Sequence, residues 1–326
     1  MTQPTATQRA HSDTFIAPAH AHDARTAQPS SAATAAPFLT LRDIGLAYGS
    51  RQILRGVDLH VAPGELVSVL GPSGSGKSTL LRIAAGLLPP SAGTVDVDGT
   101  PLAGPRPDIA LAFQDPCLLP WLSVERNVAF GLTFARQPKL SRDTRRARID
   151  AALAEVGLAH AHHLHPRQLS GGMAQRVALA RCLARQPRAL LLDEPFGALD
   201  EVTRADMQRL LVTVVRDTGA ATVLVTHDID EALLVSDRIV LLGNQGRTLA
   251  QWRVNIASPR EAQVEALGAL RIEILQALQR AMSRDTGHES STNHTTNTTG
   301  IIDAADTSNA RSPSPANDTD QTYGDR

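Results

Sequence analysis

The chain has 326 residues, of which 42% are hydrophobic and 20% charged, with a formal net charge of −1. That is ordinary for a folded globular chain, and without an overall basic bias no nucleic-acid partner is expected. Two cysteines without a CxxC pair, and no run of ~18 apolar residues, exclude a disulfide framework, a thiolate zinc site and a membrane-spanning helix.

Residues 1–37 are Ala, Thr, His, Gln, Ser and Pro with few large apolar side chains. They carry too little apolar surface to offset ordering entropy, so a disordered tail is expected, and without an apolar run after a basic start it is no secretory signal. Folded sequence is expected from Phe38. Alternation in Phe38–Leu41 and Val57–Val61 predicts strands, and Leu66–Leu70 predicts a buried strand entering a glycine-rich loop. A helix is expected over Lys77–Ala85, ending at Gly86, followed by strands at 94–99 and 109–113. Residues from about 121 to 186 lack strand signals and read as helical throughout. Strands return at 189–192, 222–226 and 238–242 with helices between them, which argues for a parallel α/β core with an inserted helical segment. One domain is therefore expected over 38–258. Residues 259–284 read as an amphipathic helix on Val264, Leu267, Leu270, Ile274, Leu278 and Met282, starting at Ser258-Pro259. Residues 285–326, with seven acids and two arginines, read as a disordered acidic tail.

Gly71, Pro72, Ser73, Gly74, Ser75, Gly76, Lys77 and Ser78 match GxxxxGK[ST] in full. Chance places that pattern in on the order of 1% of chains this long, and the strand before and helix after lower the figure. The glycines let backbone N–H groups turn towards phosphate oxygens, and the following helix directs its positive end at the same charge. Lys77 is placed to reach the β- and γ-phosphates and Ser78 to ligate Mg²⁺. Further on, the apolar strand 189–192 ends in Asp193 and Glu194. Asp193 is placed near the metal and Glu194 where a general base polarises an attacking water.

Many phosphate-loop enzymes share those two features. The discriminating segment is Leu169-Ser170-Gly171-Gly172-Met173-Ala174-Gln175-Arg176, a second glycine-rich helix start just upstream of the acidic strand. Here the chain resembles the ABC ATPase family, whose signature is LSGGQ, departing from it at Met173. The resemblance covers about residues 38–250. It implies a cassette with a RecA-like α/β core, an antiparallel β subdomain and an inserted helical subdomain at about 121–186. It also implies ATP and Mg²⁺ as cofactors, and a homodimer in which Ser170, Gly171 and Gly172 of one chain cap the ATP held by the other chain's loop 71–78 and Thr79. On the same likeness, Tyr48 stacks on adenine, Gln114 senses Mg²⁺ and water, Asp200 contacts the opposite subunit, and His227 contacts the γ-phosphate.

One cassette without a membrane span implies two separate integral membrane permease subunits and a periplasmic solute-binding protein, with the chain peripheral on the cytoplasmic face of the bacterial inner membrane. The segments 113–121 and 127–132 are similar to the nitrate, sulfonate and taurine branch of importers, aliphatic sulfonate importers most of all. Taurine or nitrate is the alternative solute. On that likeness Leu118–Trp121 docks a permease helix, with Trp121 an anchor or else a packed core residue. A non-transport ABC ATPase is the alternative from another class, but it accords poorly with one cassette and no sustained heptads. A ring-forming P-loop motor would leave residues 169–176 unexplained. His160, His162, His163 and His165, and the arginines at 142, 145, 146 and 148, read as solvated surface.

Overall fold

The computed structural model describes residues 36–289, and the side chains among them as far as residue 280. The two expected tails therefore lie almost wholly outside the described residues, as does the side chain of Met282. In chain order the elements are β1 (Leu39–Tyr48), β2 (Arg51–Val61), β3 (Leu66–Leu70), α1 (Lys77–Ala84), β4 (Ala92–Val97), β5 (Thr100–Pro101) and β6 (Ile109–Ala112). There follow α2 (Val124–Ala129), α3 (Arg142–Glu155), α4 (Gly171–Leu183), β7 (Ala189–Asp193), α5 (Glu201–Thr218), β8 (Ala221–Thr226) and α6 (Ile229–Val235). The described chain ends with β9 (Arg238–Leu242), β10 (Thr248–Arg253) and α7 (Val264–Glu289).

Two sheets form. An antiparallel sheet runs β2-β1-β4-β5, and a six-stranded sheet runs β10-β9-β3-β8-β7-β6, parallel except where β10 joins β9. The parallel strands are apolar along their length because both faces are covered. Successive residues serve opposite layers: Leu190 and Leu192 pack with Val177, Leu183 and Leu211 from α4 and α5. Ala189 and Leu191 pack with Leu81 and Ile83 of α1 and with Leu39 and Val57 of the antiparallel sheet. The two-residue period of a strand thus binds the helical layer to one face and the second sheet to the other.

Three expectations are corrected. Residues 121–186 are not helical throughout: α2, α3 and α4 are separated by irregular stretches and short 3-10 turns at 130–133 and 166–168. Lack of strand signal is not helix signal, and side chains hold these loops instead. Asn127, fully buried, donates from Nδ2 to the carbonyls of Leu119 (3.2 Å), Leu122 (3.1 Å) and Ser123 (3.1 Å) and accepts from Leu119 N. The last helix begins at Val264, not at Pro259, because Arg260 turns inward and donates from Nη1 to Leu233 O, Leu234 O and Ser236 O. Val264 itself is 74% exposed, while Ile274 is buried and Leu267, Leu270 and Leu278 pack beside it. The helix then runs to Glu289, past the expected end, since no proline interrupts 264–289. A strand absent from the expectations, β10, pairs antiparallel at the sheet edge, where its half-exposed pattern gives a weak signal.

Candidate nucleotide site

Strands β3, β8, β7 and β6 are neighbours and parallel, so the segments leaving their C-terminal ends meet along one edge of the sheet. Those segments are 71–76, 226–228, 193–194 and 113–114. This places Lys77, Ser78, Asp193, Glu194, Gln114 and His227 together although they span some 150 positions of chain.

The loop from β3 into α1 is shaped by its neighbours. Gly76 has φ +93, and a Cβ there would sit 2.7 Å from Leu54 Cδ2 and 2.9 Å from Ile53 O. A Cβ on Gly71 would collide with Leu242 O. Strands β2 and β9 therefore press on both ends of the loop, and only glycine fits. Ser73 and Gly74 are exposed at its crest; Pro72 O accepts from Ser75 N (3.3 Å). Helix α1 begins at Lys77, so its first N–H groups, Ser78 and Thr79 among them, face the loop side without intrahelical partners.

Lys77 is buried and its Nζ donates to Gly71 O (2.8 Å) and Pro72 O (2.9 Å). Burial draws its ammonium below the ordinary lysine range, with Glu194 and Asp193 opposing. Ser78 Oγ donates to Asp193 Oδ1 (2.9 Å). Burial pushes the Asp193 carboxyl up, the Ser78 hydrogen bond opposes, and the Glu194 charge adds to the rise. A hydroxyl and a carboxylate at the foot of the loop are hard oxygen donors, and within the loop Ser75 Oγ, next to Gly71, is buried without a partner. These residues fit a magnesium–nucleotide pair.

Glu194 takes a left-handed backbone, φ 44, held by its N–H to Val225 O (2.9 Å). A non-glycine residue there costs on the order of 1 kcal/mol. The turn swings its carboxylate away from Asp193's: Oε2 lies 3.2 Å from His227 Nδ1 and 3.5 Å from Gln114 Nε2. Gln175, from α4, donates from Nε2 to Gln114 O (2.8 Å) and so fixes the Gln114 segment. Gln175 was not singled out in the sequence. Its signal is a polar side chain on the buried face of the helix that the second glycine pair opens.

That second helix start lies apart from the cluster. Ser170 caps α4 by accepting from Met173 N (3.3 Å), so the departing fifth position contributes a backbone N–H to the turn while its side chain packs on the helical core. Gly172 is buried, and a Cβ on it would overlap Thr203 Cγ2 on α5, whereas Gly171 faces open space. Gly172→Ala is therefore expected to destabilise by about 1–3 kcal/mol, and Gly171→Ala to leave the melting temperature within about 1 °C. Thermal melts of the two variants check the contrast. Asp200 is exposed and caps α5, accepting from Thr203 N (3.1 Å); the Thr203 hydroxyl first, and this N–H second, hold its carboxyl below the usual range. Tyr48 is 58% exposed at the β1–β2 hairpin, on the strand pair that buttresses Gly76, and Trp121 is 70% exposed, not a core residue. Among the described residues no His, Cys, Asp and Glu cluster of three or more is placed to hold a metal, and no helix is long and apolar enough to cross a membrane.

Residues 54–197 match the family described as ABC transporter. The chain is 49% identical over 243 residues to the aliphatic sulfonates import ATP-binding protein SsuB 1 of Xanthomonas axonopodis pv. citri, covering 74% of this chain and 96% of that relative. It is 46% identical over 260 residues to SsuB 2 of Burkholderia cenocepacia, covering 79% and 93%. Among solved structures, the dimeric cassette MJ0796 in a post-hydrolysis state with ADP and Pi aligns with a TM-score of 0.59 at 34% identity, over 67% of this chain and 99% of that one. The cbiO1 cassette of Clostridium perfringens aligns at 0.62 and 30%, over 78% and 99%. With the phosphate loop, the acidic strand end and the second glycine-rich helix start in one cassette of that shape, the chain belongs to the ABC transporter family as one of its ATP-binding ATPase subunits.

Proposed function

We propose that the chain hydrolyses ATP to drive uptake of aliphatic sulfonates through separate permease subunits, peripheral at the cytoplasmic face of the inner membrane, with a periplasmic binding protein delivering solute. The relatives named above carry that solute in their names, and the chain spans nearly their whole length. Taurine and nitrate are the alternative solutes.

The observation that carries the chemistry is the Glu194 carboxylate, held between His227 and Gln114 beside the Ser78–Asp193 pair. Loop N–H groups from Gly71 to Thr79 and the Lys77 ammonium bind the phosphates; Tyr48 stacks on the base. Ser78, Asp193 and Gln114 would hold Mg²⁺, directly or through water, and the ion would supply neutralising charge to the phosphates. Glu194 accepts a proton from the water that attacks the γ-phosphorus as the bond to the leaving ADP oxygen breaks. His227 and Gln114 keep that carboxylate aimed. Ser170, Gly171 and Gly172, with Asp200, serve the nucleotide of a second copy, so the working form is a homodimer.

The test is transport by the chain reconstituted in proteoliposomes with the permease subunits that copurify with it and a sulfonate-binding protein. ATP-dependent uptake of ethanesulfonate is expected to exceed that of taurine and nitrate; nitrate or taurine carried in preference would overturn the solute assignment.

A further inference from the structure

The first turns of α5 and α6 lie against each other, joined by an ion pair between the half-buried Arg204 and the buried Glu231 that none of the roles above uses. Glu231, in the first turn of α6, is 6% exposed. Its Oε2 accepts from Thr226 Oγ1 (2.6 Å), and that hydroxyl in turn accepts from the backbone N–H of Asp228 (3.0 Å). Thr226 and Asp228 are the residues on either side of His227. One carboxylate thus fixes the backbone from which His227 projects.

The other oxygen, Oε1, lies 3.8 Å from Nε of Arg204, and that Nε is buried without a hydrogen-bond partner. Arg204 sits in the first turn of α5, where Nη2 donates to Leu199 O (3.0 Å) and Nη1 to Glu201 Oε2 (3.3 Å). Its neighbour Thr203 is the residue on which Gly172 rests and which donates its N–H to Asp200. An ion pair with one partner this deeply buried and the other only half-buried adds little net stability, so stability does not account for it. Removing Arg204 would leave the Glu231 carboxylate buried without its ion-pair partner, whereas Arg204 without Glu231 keeps Glu201 and Leu199 O, so the pair holds the α6 turn against α5 from the Glu231 side.

We propose that Glu231 is a positioning residue: through Thr226 it sets the place of His227, and through Arg204 it ties that place to the α5 turn on which Gly172 rests. A shift at the helix start that serves a second copy's nucleotide is then passed to the histidine of the chain's own site. The inference rests on the role given to His227 above.

The experiment measures turnover of the full-length chain at saturating Mg-ATP, per nucleotide bound, for His227→Ala, Glu231→Gln and the double variant. Glu231→Gln is expected to lower turnover about tenfold with the half-saturating ATP concentration within about twofold of the parent, a loss of geometry rather than of binding. The double variant is expected to be no slower than His227→Ala alone, since Glu231 acts through that histidine. Parental turnover in Glu231→Gln, or losses that multiply in the double variant, would overturn the proposal while leaving His227's role intact. Parental turnover in His227→Ala would overturn that role and this inference with it. Should Glu231→Gln not fold, Arg204→Gln breaks the same pair from the other side. It is expected to lower turnover similarly and to be silent on top of His227→Ala; parental turnover there sinks the coupling.

Discussion

Glu194→Gln is expected to lower ATP turnover by about 10²–10³-fold while ATP binding survives, because the change removes the proton acceptor and little else. Glutamine keeps the volume and the reach of the side chain. Its amide oxygen can still accept from Gln114 Nε2, which lies 3.5 Å away, and from the imidazole 3.2 Å away. The left-handed backbone at 194 is fixed by Val225 O, not by the carboxylate, so the turn persists. Lys77 and Ser78, proposed above to engage phosphate and metal, keep their places on α1. A site that binds ATP but cannot split it accumulates the nucleotide-bound form. Glu194→Gln with Mg-ATP is accordingly expected to sediment as a dimer where the parent does not. Phosphate release measured against a calibrated nucleotide-binding signal reads the first effect and sedimentation velocity the second. Near-parental turnover would remove Glu194 from the role of base, and a monomer at saturating Mg-ATP would count against the shared site.

The parts of this molecule legible in its sequence are those where one residue type is forced by backbone. Gly71 and Gly76 are required because β9 and β2 crowd the loop, and strand 66–70 is apolar throughout because both its faces are covered. Those demands leave marks in the chain itself, so the loop, the strand before it and the helix after it are read to within a residue or two. The separation of α2, α3 and α4 is marked by the caps Ser123 and Ser141 and by Gly157, but the loops between are held by Asn127 and by side chains reaching carbonyls far away in sequence, as Arg181 does to Pro116 and Cys117. The start of α7 is displaced for the same reason, by Arg260 and the end of α6. Gln175 and Glu231 are invisible because each is an ordinary polar residue on a helix until the fold buries it, and Arg204 because only the fold brings it to Glu231. A buried polar side chain at the root of a loop is a tertiary fact, and here such residues hold the loops that carry Gln114 and His227.

Mixing two inactive variants, Lys77→Ala and Ser170→Arg, is expected to restore ATP turnover if, as proposed, each site draws its loop from one copy and its glycine-rich helix start from another. Lys77→Ala removes the buried ammonium that lies over Gly71 and Pro72, leaving nothing to reach the β- and γ-phosphates from that side. Ser170→Arg removes an exposed cap whose hydrogen bond runs to Met173 N, a loss of about 1 kcal/mol confined to α4, and sets a long cation where the proposed dimer presents Ser170 to a second copy's nucleotide. Alone, each variant forms dimers in which both sites carry one defect. In a mixed dimer, one site combines the sound loop of the Ser170→Arg copy with the sound helix start of the Lys77→Ala copy, and the other site collects both defects. Random pairing at equal concentration then leaves about a quarter of all sites intact, given two-fold symmetry and heterologous half-sites. A chain that completed its site alone would gain nothing from mixing, since every copy would keep its own defect. Turnover of the one-to-one mixture, compared with each variant at the same total concentration, separates the two arrangements. A mixture no faster than its components would place the Ser170 helix start in some other role.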